Sequence, residues 1–176
     1  VQNDIDLIYI KQENAGQAAA MNKGLAIFTG DYLVWTDSDD VILPENISKK
    51  VDFLNSNPEY GFAICRGQAV MEGNLDVSIE NIFREPPQGE DHFFEDLLTE
   101  KNVLFYPGLY IARREAVLKA LPERKINESR VGQNWQMLLP LAKNEKCGYM
   151  KDYLFLYVIR ENSHSRSQKT VKEKLE

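Results

Sequence analysis

Short apolar runs alternate with helix-forming stretches along the first half of the chain. Residues 6–11 and 32–36 are rich in β-branched and aromatic side chains, which predicts two buried strands. Residues 17–27, between them, are dominated by alanine and other good helix formers and predict a helix. A second helix is predicted to open at Pro44 and to stop before Pro58, because apolar residues recur there at helical spacing.

The second half mixes the two patterns less regularly. Residues 62–70 and 75–79 predict the two strands of a hairpin around Gly73. The remaining predicted elements are helices at 90–98, 114–121 and 132–143, strands at 109–112 and 153–159, and extended chain at Tyr149. Pro140 is expected to kink the helix at 132–143 or to mark its local end. Strands that alternate with helices indicate an α/β layer fold.

Composition narrows the functional classes. The 176 residues correspond to about one domain, and 43% hydrophobic with 27% charged residues is typical of a globular protein. The net charge of −6 and the lack of a basic stripe argue against nucleic-acid binding. No apolar run approaches the roughly 18 residues of a membrane span. The two cysteines, Cys65 and Cys147, lack metal-ligand spacing and are interpreted as reduced core thiols of a cytoplasmic protein.

An acidic cluster, Asp37, Asp39 and Asp40, directly follows the predicted strand at 32–36. Ligands of open α/β sheets bind at the carboxyl ends of strands, and carboxylates there suit Mg²⁺ or Mn²⁺. An Asp-rich turn that caps the next helix is an equally simple interpretation. The cluster alone leaves both open.

The segment before the cluster carries a longer pattern. Asn14, Gly16, Asn22 and Gly24 stand in N-x-G-x-x-x-A-x-N-x-G spacing, followed by Thr-Gly-Asp-Tyr at 29–32 and Asp-Ser-Asp-Asp at 37–40. This combination resembles family 2 glycosyltransferases with the GT-A fold and their D-x-D motif. The resemblance implies a mixed sheet flanked by helices and a donor site that includes Asn14, Gly16 and Asn22.

The same resemblance assigns roles within the acidic cluster. Asp37 would lie near the ribose or sugar of a nucleoside-diphosphate sugar. Asp39, with Asp37, would ligate the Mn²⁺ or Mg²⁺ ion that holds the diphosphate. Asp40 would orient the loop. The implied reaction is transfer of the sugar to a glycan, lipid-linked or cell-surface acceptor, with inversion at the anomeric carbon.

One departure from the family pattern concerns the catalytic base. Gln133 and Asn134 stand where the family has Glu and Asp, and an amide cannot take a proton from the acceptor hydroxyl. The amides can position the acceptor while another carboxylate, such as Glu128 or Asp91, acts as base. The acceptor can also lose its proton late, or the protein can bind nucleotide sugars without catalysis.

The C-terminal stretch also resembles the family, in which a Tyr-Arg-containing segment folds over the donor. By this resemblance Arg160 and Arg166 would pair with the diphosphate, and His164 would be a further metal ligand. A solvated tail is the alternative interpretation. His92 is interpreted as a surface residue.

The family's first two strands, which hold the base and ribose, have no counterpart in this sequence. We therefore expect part of a GT-A domain, with donor and metal binding in residues 1–79 and the acceptor side in residues 80–176. Such a fragment is expected to be inactive alone, to expose sheet edges and to self-associate. The parent protein is expected in the cytoplasm or at the periphery of the cytoplasmic membrane.

Overall fold

The computed structural model describes residues 6–129 and 132–160. Five α-helices lie in these ranges: α1 Gln17–Ile27, α2 Asn46–Ser56, α3 Phe93–Thr99, α4 Arg114–Ala120 and α5 Gln133–Asn144. The strands are β1 Tyr32–Leu33, β2 Val41–Ile42, β3 Tyr60–Met71, β4 Asn74–Ile82, β5 Tyr110–Arg113 and β6 Lys146–Ile159, with a 3₁₀ turn at Pro107–Leu109. None of the described helices has the length and apolarity needed to cross a membrane.

The strands form one mixed sheet in the order β1-β5-β3-β6-β2, with β4 paired to β3. The long strands β3 and β6 run parallel in its centre, and the other pairs are antiparallel. Central strands of a sheet covered on both faces read as continuous apolar runs. Residues 61–65 of β3 are accordingly all buried, and residues 154–156 of β6 are buried as well.

A buried lysine joins α2 to the sheet. Lys50 is fully buried, and its Nζ donates to the carbonyl oxygens of Gly108 at 2.7 Å and Tyr110 at 3.4 Å. Burial lowers the pKa of this amine from 10.5 to about 8, because the charged form is poorly solvated there. Cys65 beside it is a free, buried thiol, as is Cys147, which agrees with the prediction of core cysteines.

Local sequence patterns predicted most of the hairpin and of the helices. The strands predicted at 6–11 and 32–36, before the acidic cluster, differ from those in the structure. The chain at 6–11 has no strand, and Leu7, Ile8 and Tyr9 are 86%, 68% and 82% exposed. The prediction was wrong because a strand needs a hydrogen-bonded neighbour, and none pairs with this segment among the described residues. The predicted strand at 32–36 is likewise reduced to Tyr32–Leu33, the two residues that pair with β5.

Smaller corrections concern the boundaries of other elements. The short strand β2 was not predicted, and the late strand begins at Lys146 and continues through Tyr149 to Ile159. Helix α3 begins at Phe93 rather than at residue 90. Pro140 does not end α5, which continues to Asn144.

Candidate functional site

The acidic cluster lies in the turn between β1 and β2. Asp37, Asp39 and Asp40 each offer a carboxylate oxygen, and these three oxygens lie within 4.8 Å of one another. Asp37 and Asp40 are partly buried, whereas Asp39 is exposed. The turn therefore presents three oxygen ligands of the kind that Mg²⁺ and Mn²⁺ prefer at one point of the surface.

Neighbouring elements hold each carboxylate in place. Gln17, the first residue of α1, donates its Nε2 to Asp37 Oδ1 at 2.6 Å. The backbone N–H of Val158 in β6 donates to Asp40 Oδ1 at 3.1 Å. Arg160, which follows β6, lies with Nη1 3.9 Å from Asp39 Oδ2 and with Nε 3.6 Å from Glu72 Oε1. The predicted diphosphate ligand Arg160 is thus brought to the cluster.

Burial and the repulsion between neighbouring carboxylates raise the pKa values of Asp37 and Asp40. Partial burial, with the Asp39 charge next in importance, raises the pKa of Asp37 above its usual 3.8. Partial burial raises the pKa of Asp40 to about 6, although its bond from Val158 acts in the opposite direction. A cation at the cluster would offset both causes, since it stabilises the charged carboxylates.

The predicted donor-site residues in the loop and helix before the cluster make hydrogen bonds within the protein. Asn14 Oδ1 accepts from the backbone N–H of Gly16 at 3.1 Å, and Gly16 has φ 86°, which favours glycine. Asn22 exchanges two hydrogen bonds with the backbone of Ile126, at 2.8 and 2.9 Å, and also donates to Glu128. Asn22 therefore ties α1 to the loop that contains Ile126. Direct contacts of Asn14, Gly16 or Asn22 with a donor stay predictions.

The amide pair lies at the start of α5, beside a cavity of about 460 Å³. Asn134 Oδ1 accepts from Trp35 Nε1 at 3.2 Å, and its Nδ2 donates to the carbonyl oxygen of Phe105 at 3.0 Å. Gln133 Nε2 donates to the carbonyl oxygen of Ser129. Both amides are bound into the structure, and the Trp35 bond joins the cavity wall to the segment that carries Asp37.

A match to the model of a protein family identifies the family of this chain. The model of glycosyl transferase family 2 matches residues 1–121. The chain belongs to this family.

Relatives and solved structures agree with family 2. GlyA of Streptococcus pneumoniae serotype 4, a glycosyltransferase, is 45% identical over 93% of the chain and 24% of its own length. An uncharacterized glycosyltransferase of a Nostoc species is 28% identical over 64% of the chain and 35% of its own length. The chain thus spans about a quarter to a third of these relatives.

A protein of known crystal structure shares this fold. S. aureus TarS 1–349, crystallised with UDP-GlcNAc, superposes with a TM-score of 0.61 at 16% identity, over 92% of the chain and 44% of TarS. At that identity the likeness concerns the fold alone. It confirms the predicted GT-A-type mixed α/β architecture.

The alternative carboxylates for the base and the two histidines lie elsewhere or outside the described residues. Asp91 accepts from the hydroxyl of Tyr149 at 2.8 Å, and Glu128 accepts from Asn22; neither lines the cavity beside Asn134. His92 is exposed, as predicted. His164 and Arg166 lie outside the described residues, so their roles stay predictions.

Sequence reasoning missed three residues of the site: Gln17, Trp35 and Glu100. Gln17 and Trp35 contact the cluster or the amide pair only because separate elements meet. Glu100 lines the cavity beside Asn134. The sequence offered a weak signal for Trp35, an indole N–H donor two residues before Asp37. It offered none for Glu100.

Proposed function

We propose that the protein containing this chain transfers a sugar from a nucleoside-diphosphate sugar to a hydroxyl of a glycan, lipid-linked or cell-surface acceptor. The observation that carries the proposal is the carboxylate cluster at 37–40, with Arg160 beside it. Membership of family 2 supports sugar transfer, and the TarS neighbour with UDP-GlcNAc supports a nucleotide-sugar donor.

The cluster fits the divalent cation that the family pattern implies. Asp37 and Asp39 would hold Mn²⁺ or Mg²⁺, and Asp40, bound to β6 through Val158, would keep the turn in position. When bound, the ion supplies charge stabilisation for the departing diphosphate. Arg160 provides a second positive charge for the same phosphate oxygens, since guanidinium groups pair well with phosphate.

The proposed reaction also has a defined stereochemistry, an acceptor site and a location in the cell. A single displacement by the acceptor oxygen would invert the anomeric centre, as the family resemblance implies. The cavity at the start of α5 would hold the acceptor, because Trp35 connects it to the Asp37 segment. We place the reaction in the cytoplasm or at the cytoplasmic face of the membrane.

The second candidate function is nucleotide-sugar binding without catalysis. The observation that favours it is the amide pair, because Gln133 and Asn134 are both hydrogen-bonded to the protein and neither is basic. Turnover of nucleotide sugars by the full-length protein distinguishes the two functions.

The test of the metal role is Asp39→Ala in the full-length protein. We expect the Mn²⁺-dependent binding of UDP in calorimetry to weaken by at least about tenfold, because the ion loses a ligand. Asp52→Ala, which removes an exposed carboxylate from α2, is the matched control and should leave binding unchanged. Equal UDP affinities of the Asp39→Ala variant and the wild type in Mn²⁺ would refute the metal role.

A further inference from the structure

The start of α5 lacks a group that can remove the acceptor's proton. The side chain of Asn134 uses its oxygen to accept the Trp35 indole N–H and its nitrogen to bind the Phe105 carbonyl. Both the oxygen and the nitrogen of this amide are therefore hydrogen-bonded to the protein, and the amide is not basic. If the reaction needs a base, another side chain next to Asn134 must supply it.

The cavity beside Asn134 offers such a side chain. Its volume of about 460 Å³ falls in the range of roughly 300–1,000 Å³ that is typical of small-molecule sites. Phe105 and Trp135 give it aromatic surface, and Gln133 and Asn134 give it amides. Glu100 is the one ionisable residue among the described residues that line it.

The cavity also lies close to the cluster that would hold the donor. Trp35 Nε1 reaches the Asn134 side chain, and Asp37 follows Trp35 by two residues. An acceptor in the cavity and a diphosphate at Asp37 and Asp39 would thus occupy adjoining parts of one site. Asp91 and Glu128 bind Tyr149 and Asn22 instead and do not line this cavity.

The backbone at Glu100 is unusual for a glutamate. The residue ends α3 in the left-handed conformation, with φ 53° and ψ 33°, where glycine is the usual choice. Within residues 6–129 and 132–160, no group donates a hydrogen bond to its carboxylate or pairs with it. Neither backbone preference nor a described contact explains a glutamate at this point of the cavity lining, and residues held in such sparsely populated conformations cluster at functional sites.

We propose that Glu100 is the general base of the transfer reaction, an inference that rests on the proposed function. The Glu100 carboxylate takes the proton of the acceptor hydroxyl as that oxygen forms a bond to the anomeric carbon. The bond from the anomeric carbon to the diphosphate oxygen breaks, and its electron pair leaves with the diphosphate. The acceptor occupies the cavity next to Asn134.

Two substitutions of Glu100 separate chemistry from structure. Glu100→Gln keeps the shape of the side chain and removes its basicity. Glu100→Gly removes the side chain and relaxes the left-handed backbone, so it should raise the melting temperature while it removes the base. A residue with a purely structural role would not lose activity as the protein becomes more stable.

Asn102→Gly is the matched control. Asn102 has φ 52°, two residues from Glu100, and its carbonyl oxygen, which accepts from Arg84, is kept in the variant. The variant relaxes the same kind of backbone without the loss of a carboxylate. It should keep full turnover and show a small rise in melting temperature, because asparagine tolerates the left-handed region better than glutamate.

The experiment measures transfer by the full-length protein in Mn²⁺. The donors are UDP-, GDP- and dTDP-sugars, and the acceptor probes are methyl glycosides of glucose, galactose and N-acetylglucosamine. We expect kcat to fall by about 10²- to 10⁴-fold in both Glu100 variants, the range of general base catalysis. Donor affinity by calorimetry should be unchanged, and the acid limb of the kcat/KM profile should be lost in Glu100→Gln.

Three results would overturn the inference. A Glu100→Gln variant with kcat within threefold of the wild type would show that the carboxylate is not the base. An equal loss in Asn102→Gly would show that the backbone of this turn, and not the carboxylate, controls activity. A wild type that binds a donor but transfers no sugar to any acceptor probe would reject both the proposed activity and this inference. This result differs from the other two because the wild type itself shows no turnover.

Discussion

At the scale of single residues, the properties of the acidic turn come from what surrounds it. Asp40 is partly buried against β6, whereas Asp39, one residue earlier, is exposed and lies near Arg160. Burial raises the pKa of Asp40 to about 6, and the same cause raises that of Asp37. Three neighbouring aspartates with similar chemistry in the sequence therefore have different environments in the fold.

The raised pKa of Asp40 predicts a pH-dependent stability. The folded state binds this proton more tightly than the unfolded state, so the contribution of Asp40 is full below about pH 4 and is lost as the pH rises toward 6. Asp40→Asn keeps an acceptor for Val158 and stays neutral. With metal chelated, the variant should be more stable than the wild type by about 1–2 kcal/mol at pH 7.5, after allowance for solvent screening.

The measurement is denaturant unfolding of both proteins in EDTA between pH 4 and pH 8. The difference in the free energy of unfolding should shrink toward zero near pH 4, where the Asp40 carboxyl of the folded protein is neutral. A difference that does not change with pH would show that Asp40 ionises normally in the folded protein.

At the scale of elements, close packing positions the acidic turn. The 3₁₀ turn Pro107–Leu109 lies against β6, and a Cβ on Gly108 would meet the Phe155 ring at 2.2 Å and Thr36 Oγ1 at 3.0 Å. Thr36 directly precedes Asp37. The carbonyl oxygen of Gly108 also accepts from the buried Lys50. The lack of a side chain at Gly108 thus allows the Phe155 ring of β6 and Thr36, in the segment before the cluster, to pack against this turn.

Substitution of this glycine should disturb the packing. Gly108→Ala forces the Phe155 ring to move, and we expect a loss of roughly 1–3 kcal/mol in the free energy of unfolding, as for overpacked cores. Gly24→Ala, within α1, meets nothing within 4 Å and should stabilise the protein by about 0.5–1 kcal/mol through helix propensity. Unfolding of the two variants in urea measures both effects. Equal stabilities would mean that the space around Gly108 is larger than described.

At the scale of the whole molecule, the described residues leave apolar side chains exposed at several places, among them the segment 6–11 and strand β4. Leu7, Ile8 and Tyr9 are mostly exposed, and so are Val77 and Ile79 of β4, each at 54%. Exposed apolar patches and unpaired extended chain favour association with another chain. The relatives are longer than this chain, since it spans 24% of GlyA and 44% of the TarS structure.

The 176-residue chain prepared by itself should therefore self-associate. We expect the double variant Leu7→Ser, Tyr9→Ser to weaken that association by at least about tenfold, because each buried apolar side chain contributes about 1.5–3 kcal/mol. Lys11→Ser, a polar change in the same segment, is the control. Sedimentation velocity over a range of concentrations measures the dissociation constant. A strictly monomeric wild type would contradict the prediction, and an unchanged double variant would assign the contact to another surface.

Local pattern was sufficient to predict several elements and the candidate metal site. The alanine-rich run at α1, the spacing of Ile47, Val51 and Leu54 in α2, and the turn at Gly73 each contain their own evidence, because helix and hairpin preferences act between near neighbours. The motif from Asn14 to Asp40 was also sufficient to identify family 2. The helix and hairpin preferences depend on residues within one or two turns of each other, and the motif depends on one continuous stretch of sequence.

Tertiary structure alone decided how these parts are used. The apolar residues 6–11 have strand propensity but no described partner, and only two residues of 32–36 pair with β5, because a strand is defined by its neighbour. Asn134 became a bound amide through Trp35 and Phe105, which are 99 and 29 residues away, and Asp40 became hydrogen-bonded through Val158, 118 residues away. Burial, pKa and the place of Glu100 in the cavity arise from such distant contacts, and no local pattern contains them.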